Sequence, residues 1–127
     1  MARGIGLRSR RLRVRVPPSL LLNTEKTMAK EVNEDEFTKE VIQSDVPVIV
    51  DFYAPWCAPC KAMMPVVDSV SAEADGFKVV KVNVDDSPNL AKIYNIAKLP
   101  TFMVFKDGEN MNYKTGGMSA NALRSMV

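Results

Sequence analysis

The spacing of apolar residues changes several times along the chain, and each change marks a predicted element. Residues 46–53 are apolar almost throughout and rich in β-branched side chains, which is typical of a strand that is covered on both faces. Residues 77–84 alternate between apolar and polar positions, which predicts a second strand, and residues 101–105 form a third. Asp107-Gly108 is a hairpin signal, so a fourth strand is predicted to return over residues 111–114.

Helical spacing of apolar residues predicts four helices around these strands. Asn33 and Glu36 form a capping-box pattern, and the first helix is expected to run from there to about Ser44. Pro65 falls within the second and longest helix and is predicted to kink it. The second, third and fourth helices are predicted at residues 57–74, 88–94 and 119–126.

The order helix, strand, helix, strand, helix, strand, strand, helix indicates an α/β domain with a central mixed sheet and helices on both faces. The length of 127 residues suits one domain, and 46% hydrophobic with 25% charged residues is ordinary globular usage. Residues 16–24 are the longest uncharged stretch that could enter a bilayer. Because a spanning helix needs roughly 20 apolar residues, no membrane association is predicted.

Charge divides the chain into two parts. Residues 1–28 hold seven basic residues and one acid, a net charge of +6, whereas residues 29–127 hold ten and fourteen, a net charge of −4. We therefore expect a basic N-terminal arm over residues 1–28, disordered as an appendage, and a folded domain over residues 29–127.

Several origins for this arm are open. An export signal is disfavoured, because the apolar stretch at residues 20–22 is too short and ends at once in polar residues. An organelle transit peptide fits the arginine content but not the alternating pattern. A nucleic-acid-binding tail lacks aromatic residues to stack on bases. We favour a folded protein that begins near Met28, with an upstream start or a disordered segment before it, and hence a cytoplasmic location.

The residue inventory limits the chemistry. The chain has no histidine and only two cysteines, Cys57 and Cys60, so histidine-dependent catalysis and histidine metal sites are excluded. A structural zinc site needs four ligands, and one chain has no second Cys or His pair to supply them. No metal is therefore predicted, although a site shared between two chains stays open.

Cys57 and Cys60 lie where the central strand meets the long helix. Amides and the dipole at a helix N-terminus stabilise an anion, so Cys57 is predicted to ionise readily and to react as the thiolate. Cys60, about one turn further along, is placed to attack a mixed disulfide formed at Cys57. A purely structural disulfide is the alternative, but so short a loop restricts the unfolded chain little. The pattern therefore favours a redox-active pair.

The sequence around the two cysteines resembles the thioredoxin family. Trp56-Cys57-Ala58-Pro59-Cys60 follows Val50-Asp51-Phe52-Tyr53-Ala54 and precedes Lys61, as it does in that family. Four further segments fall in the same order and spacing: Lys81-Val82-Asn83-Val84-Asp85, Tyr94-Asn95-Ile96, Leu99-Pro100-Thr101 and Phe105-Lys106-Asp107-Gly108-Glu109. The resemblance covers roughly residues 30–127 and implies the thioredoxin fold.

The resemblance also implies roles for the matching residues. Cys57 corresponds to the attacking thiol and Cys60 to the resolving thiol. Asp51, with Lys81 nearby, corresponds to a buried carboxylate that helps to deprotonate the resolving thiol, and burial would bring its pKa nearer neutrality. A salt-bridged core acid with no catalytic part is the alternative for Asp51.

A docking surface for substrates is implied around Cys57. Leu99-Pro100 resembles the cis-proline loop of the family, and Ala58 stands where the family usually has glycine. Packing in the core is the alternative interpretation for Trp56. The implied substrate-binding residues are Trp56, Ala58, Pro59, Leu99, Pro100, Gly116 and Gly117.

The implied function is reduction of disulfides in protein substrates by dithiol–disulfide exchange, with no bound cofactor. A separate NADPH-dependent thioredoxin reductase is expected to recycle the oxidised protein, which is expected to be a monomer. An oxidase or isomerase is one alternative, but Ala58-Pro59 lacks the histidine with which those relatives favour the dithiol form. The other alternative is a binding module in which the thiols are incidental.

Overall fold

A computed structural model describes residues 29–127 of the protein. The predictions made above for residues 1–28 concern a part of the chain that lies outside the described residues. In chain order the elements are β1 (Lys30–Glu31), α1 (Glu34–Phe37), a π-helical turn (Thr38–Ile42), β2 (Val48–Tyr53), α2 (Ala58–Ala72), β3 (Lys78–Asn83), α3 (Pro88–Ile93), β4 (Thr101–Lys106), β5 (Glu109–Thr115) and α4 (Ala120–Arg124).

The strands form one five-stranded sheet in the order β1-β3-β2-β4-β5. β1, β3 and β2 run parallel to one another, while β4 is antiparallel to β2 and β5 is antiparallel to β4. The predicted α/β architecture with a mixed sheet is confirmed. β1 was not predicted, because a strand of two residues is too short to show an alternating pattern.

The predicted capping box at the start of α1 is confirmed. Asn33 Oδ1 accepts the backbone N–H of Glu36 at 2.9 Å, and Glu36 Oε1 accepts the backbone N–H of Asn33 at 3.2 Å. The helix then widens into the π-helical turn, where the N–H of Gln43 donates to the carbonyl of Thr38 at 2.8 Å. The helical segment ends at Ile42, close to its predicted end.

The hairpin between β4 and β5 turns at Asp107 and Gly108, as predicted. Both residues have positive φ, 53° and 82°, which is the conformation that the favoured two-residue hairpin turn requires. A Cβ atom on Gly108 would also come within 3.2 Å of the backbone oxygen of Ile42. Glycine is therefore required at this position by both conformation and space.

Alternation along β2 divides the core between the two faces of the sheet. Val48, Val50 and Phe52 pack on one side with buried residues from α1, the π-helical turn and α3. Ile49 packs on the other side with buried residues from α2 and α4. The helices therefore cover both faces, as predicted. Because side chains alternate along a strand, Asp51 lies on the same face as Ile49, beneath α2.

α2 is the longest helix of the described chain, with 15 residues. Pro65 lies inside it without ending it. None of the helices within residues 29–127 has the length and apolar character needed to cross a bilayer.

Candidate active site

The two cysteines lie at the start of α2, where the chain leaves the central strand. Cys57 is the N-cap residue, with extended backbone angles of φ −87° and ψ 112°, and its Sγ accepts the backbone N–H of Cys60 at 3.2 Å. Pro59 lies in the first turn, where its missing N–H leaves no helical hydrogen bond unmade. The sulfur of Cys57 is therefore held at the positive end of the helix.

Cys57 and Cys60 form a disulfide, with their Cα atoms 5.2 Å apart. This Cα separation is within the range of ordinary disulfides, so the helix start presents the two residues at bonding distance. Cys57 is 5% exposed and Cys60 is 2% exposed. After reduction, the amides at the helix start are expected to stabilise a thiolate on Cys57. The pair can thus alternate between dithiol and disulfide.

Trp56 precedes the disulfide and is 70% exposed, so it is not a core residue. Its indole N–H donates to Oδ2 of Asp85 at 3.0 Å. Asp85 lies in the turn after β3, where its own backbone N–H donates to Oδ1 of Asn83 at 2.9 Å. These two bonds orient the ring beside the disulfide. Asp85 belongs to one of the segments of the family resemblance, and no role was predicted for it.

The loop before β4 lies next to the disulfide. The Leu99–Pro100 peptide bond is cis, and Leu99 packs against the cluster that contains both cysteines. The carbonyl of Pro100 accepts the backbone N–H of Gly116 at 2.9 Å. Gly116 has a φ of 88°, in the left-handed region that favours glycine, and the exposed Gly117 follows it.

A groove of about 540 Å³ opens beside the disulfide. Its lining includes predicted site residues and others that the sequence analysis did not assign. The predicted ones are Trp56, Cys57, Ala58, Pro59 and Leu99, and the additional ones are Val84, Ala91, Ile96 and Ala97. All of these residues are uncharged, so the groove offers an apolar surface. Val84 and Ile96 belong to segments of the family resemblance, which was the one signal that could have identified them.

Asp51 is 2% exposed, and its Oδ1 atom has no hydrogen-bond partner among the described residues. Burial raises the pKa of Asp51 to about 7, the positive charge of Lys81 opposes this rise, and the negative charge of Asp68 adds to it. A carboxyl group with this pKa binds and releases a proton near neutral pH.

Lys81 lies opposite Asp51 in the parallel pairing of β3 with β2. Residues paired in this way lie on the same face of a sheet, and Lys81 is itself only 7% exposed. Within residues 29–127 neither side chain forms an ion pair shorter than 4.0 Å. Asp51 therefore does not fit the alternative of a salt-bridged core acid.

Comparison with known proteins identifies the family of the chain. The family model described as Thioredoxin matches residues 28–127. The chain belongs to the thioredoxin family. Thioredoxin of Rickettsia felis is 46% identical to it over 101 residues, which cover 79% of this chain and 96% of the relative. Thioredoxin of Porphyra purpurea is 45% identical over 98 residues, 76% of this chain and 92% of the relative. Thioredoxin 1 of Nostoc sp. is 45% identical over 96 residues, which cover 75% of this chain and 90% of the relative.

Membership of the thioredoxin family and the cysteine pair together establish the class of chemistry. The protein is a dithiol–disulfide oxidoreductase with protein-disulfide reductase activity, and its substrates are disulfide-containing proteins. When Cys57 and Cys60 become bonded, their dithiol gives up two electrons and two protons, and a substrate disulfide becomes two thiols. Within residues 29–127 no group of three or more His, Cys, Asp or Glu side chains is placed to hold a metal ion.

Proposed function

We propose that this protein is a thioredoxin-type electron carrier in which Cys57 attacks a protein disulfide and Cys60 resolves the mixed disulfide. The position of Cys57 at the start of α2, with its sulfur facing the N–H of Cys60, carries this assignment. In the first step the Cys57 thiolate bonds to one substrate sulfur, and the other substrate sulfur leaves as a thiolate. In the second step the Cys60 sulfur attacks Cys57, which forms the Cys57–Cys60 disulfide and releases the substrate as a dithiol.

Asp51 is proposed to accept the proton that Cys60 loses in the second step, through an intervening water. Asp51 lies on the face of the sheet that α2 covers, and α2 carries Cys60 in its first turn. Its unpartnered Oδ1 is available as an acceptor. The neighbouring Lys81 keeps a positive charge near the carboxylate, which moderates the cost of ionising it in the core.

The apolar groove beside the disulfide is proposed to receive the polypeptide that surrounds a substrate disulfide. Its lining includes Cys57, the more exposed of the two cysteines, together with Trp56 and Leu99. Pro100, Gly116 and Gly117 do not line the groove itself. They are proposed to extend the docking surface, because Pro100 follows Leu99 in the cis-proline loop and its carbonyl accepts the backbone N–H of Gly116. An uncharged surface of this kind suits substrates of varied sequence.

Recycling by an NADPH-dependent thioredoxin reductase is proposed as the source of electrons, with this protein acting as a monomer. Oxidation of NADPH, measured with catalytic amounts of the protein, is expected to require both a thioredoxin reductase and a disulfide substrate such as insulin. Dithiothreitol serves as the control, because it reduces the Cys57–Cys60 disulfide without any partner. Insulin reduction with dithiothreitol but none with the reductase would contradict the proposed partner and leave the exchange chemistry intact.

Residues 1–28 are proposed to be a basic appendage outside the thioredoxin domain, and the protein is proposed to be cytoplasmic. The family match that begins at residue 28 supports this boundary. The intact mass of the native protein is expected to correspond to a chain that begins at Met28 or Ala29. A mass that shows cleavage elsewhere within residues 1–28 would favour an organelle transit peptide instead.

A further inference from the structure

Three charged residues lie in one row across the parallel part of the sheet. Lys81 on β3 is paired with Glu31 on β1 at one side and with Asp51 on β2 at the other. Residues paired in parallel register lie on one face, and adjacent strands are about 4.8 Å apart. The register therefore places Lys81 between two acidic residues, Glu31 at the edge of the sheet and Asp51 in its core.

The carboxylate of Glu31 is held against this face by a hydrogen bond. The hydroxyl of Tyr53 donates to Glu31 Oε1 at 2.6 Å, although 22 residues separate them in the chain. Tyr53 lies two residues after Asp51 on β2, so its ring is on the same face as Asp51. Burial first, and then the hydrogen bond to Glu31, raise the pKa of Tyr53 above its ordinary value. Tyr53 therefore stays protonated at neutral pH, and its hydroxyl continues to donate the hydrogen bond to Glu31.

The groups around Asp51 come from five elements, β1, β2, β3, β4 and α2. Lys81 of β3 adds a positive charge, Asp68 of α2 adds a negative charge, and Tyr53 follows on β2 itself. β4 contributes the uncharged Phe102 opposite Asp51. Glu31 of β1 completes the set through Lys81. Because Glu31 and Lys81 have opposite charges and lie on one face, the field at Asp51 includes a contribution from each.

We propose that Glu31 is a positioning residue whose negative charge opposes that of Lys81 at Asp51 and thereby raises the pH at which Asp51 gives up its proton. Glu31 lies two strands from Asp51 on the same face of the sheet, with Lys81 paired to both. A negative charge at this place favours the protonated form of Asp51. Neutralising Glu31 therefore lets Asp51 ionise at lower pH. The consequence for catalysis rests on the proposed role of Asp51 as proton acceptor.

Titration of the Asp51 carboxyl carbon by NMR tests this inference in the oxidised full-length protein, where no thiol titrates in the same range. Glu31 is exposed, and Glu31→Gln is expected to lower the titration midpoint of Asp51 by roughly 0.3 to 0.6 pH unit, the size expected for one exposed charge about 10 Å away. Tyr53→Phe, which releases the Glu31 carboxylate to solvent, is expected to lower the midpoint by less. The matched control is Asp35→Asn, which removes an exposed negative charge from α1 without touching the row.

An unchanged midpoint in Glu31→Gln would overturn the inference, and so would an equal change in Asp35→Asn, since it would show only a general effect of net charge. The pH profile for resolution of a preformed mixed disulfide provides a separate readout. If the NMR midpoint moves in Glu31→Gln but the profile does not, the inference about Glu31 stands and the proposed role of Asp51 fails. If both move together, both are supported.

Discussion

Replacing Cys57 with serine is expected to reduce the reduction of insulin disulfides to the rate of the uncatalysed reaction. A serine hydroxyl stays protonated at neutral pH even at the start of α2, so the helix amides have no thiolate to stabilise and the first bond to substrate sulfur cannot form. Turbidity of precipitating insulin chains, with dithiothreitol as the electron donor, measures this activity. Full activity in Cys57→Ser would contradict the mechanism.

Cys60→Ser is the matched variant, and it is expected to fail at the second step, the release of substrate from the mixed disulfide. Cys57 still attacks, but no second sulfur displaces the substrate, so a covalent mixed disulfide with the substrate accumulates and is visible by mass spectrometry under non-reducing conditions. Ala58→Gly, which keeps both thiols, is expected to retain activity and serves as the control for the altered loop. Unchanged partner binding in Cys57→Ser, together with no mixed disulfide in Cys60→Ser, would support the binding-module alternative.

The parts of the fold that the sequence predicted correctly are those with a local pattern. β2 is recognisable because all its residues are buried, and the capping box at Asn33 is recognisable because both of its partners lie within three residues. The hairpin turn is recognisable because Gly108 meets a conformational requirement. β1 shows no such pattern, because its two residues become a strand only by pairing with β3, about 50 positions along the chain.

In the site, too, features with a local sequence pattern were predicted and contacts between distant residues were not. Cys57 and Cys60 act on each other across one helical turn, so their spacing, their place between a strand and a helix and the absence of other metal ligands indicated the redox pair. Asp51 stood out as an acid within an apolar run. The contacts of Trp56 with Asp85 and of Tyr53 with Glu31 join residues 29 and 22 positions apart. Such pairs are created by the order of the strands, and no periodicity in the sequence marks them.

Asp51→Asn is expected to raise the free energy of unfolding by about 4 kcal/mol at pH 8 and to change it little near pH 4. The pKa of Asp51 is about 7 in the folded protein, against an ordinary value of 3.8 that we take for the unfolded chain. Between pH 3.8 and about pH 7 the Asp51 carboxyl has lost its proton in the unfolded chain but still holds it in the folded protein. Wild-type stability therefore falls as pH rises through this window, and above pH 7 the loss is complete. The amide side chain introduced in Asp51→Asn does not titrate, so the variant does not lose this stability as pH rises.

Urea unfolding of the oxidised protein from pH 4 to pH 8.5 measures the difference. The stabilities of wild type and Asp51→Asn are expected to diverge as pH rises, whereas the exposed control Asp35→Asn is expected to follow the wild type at every pH. A constant difference across the pH range would show that Asp51 is not the group that titrates, because the amide substitution would then act through packing alone.

Asp51→Asn also distinguishes the effect of Asp51 on stability from its role in catalysis. If the buried carboxyl group takes the proton of Cys60, Asp51→Asn should resolve a preformed mixed disulfide more slowly at pH 7, by up to roughly 100-fold, the lower end of general-base effects. The stabilised variant would then be the slower catalyst, which explains why an unpartnered acid is kept under α2. A resolution rate equal to that of the wild type would remove Asp51 from the mechanism, even if the stability difference followed the expected pH dependence.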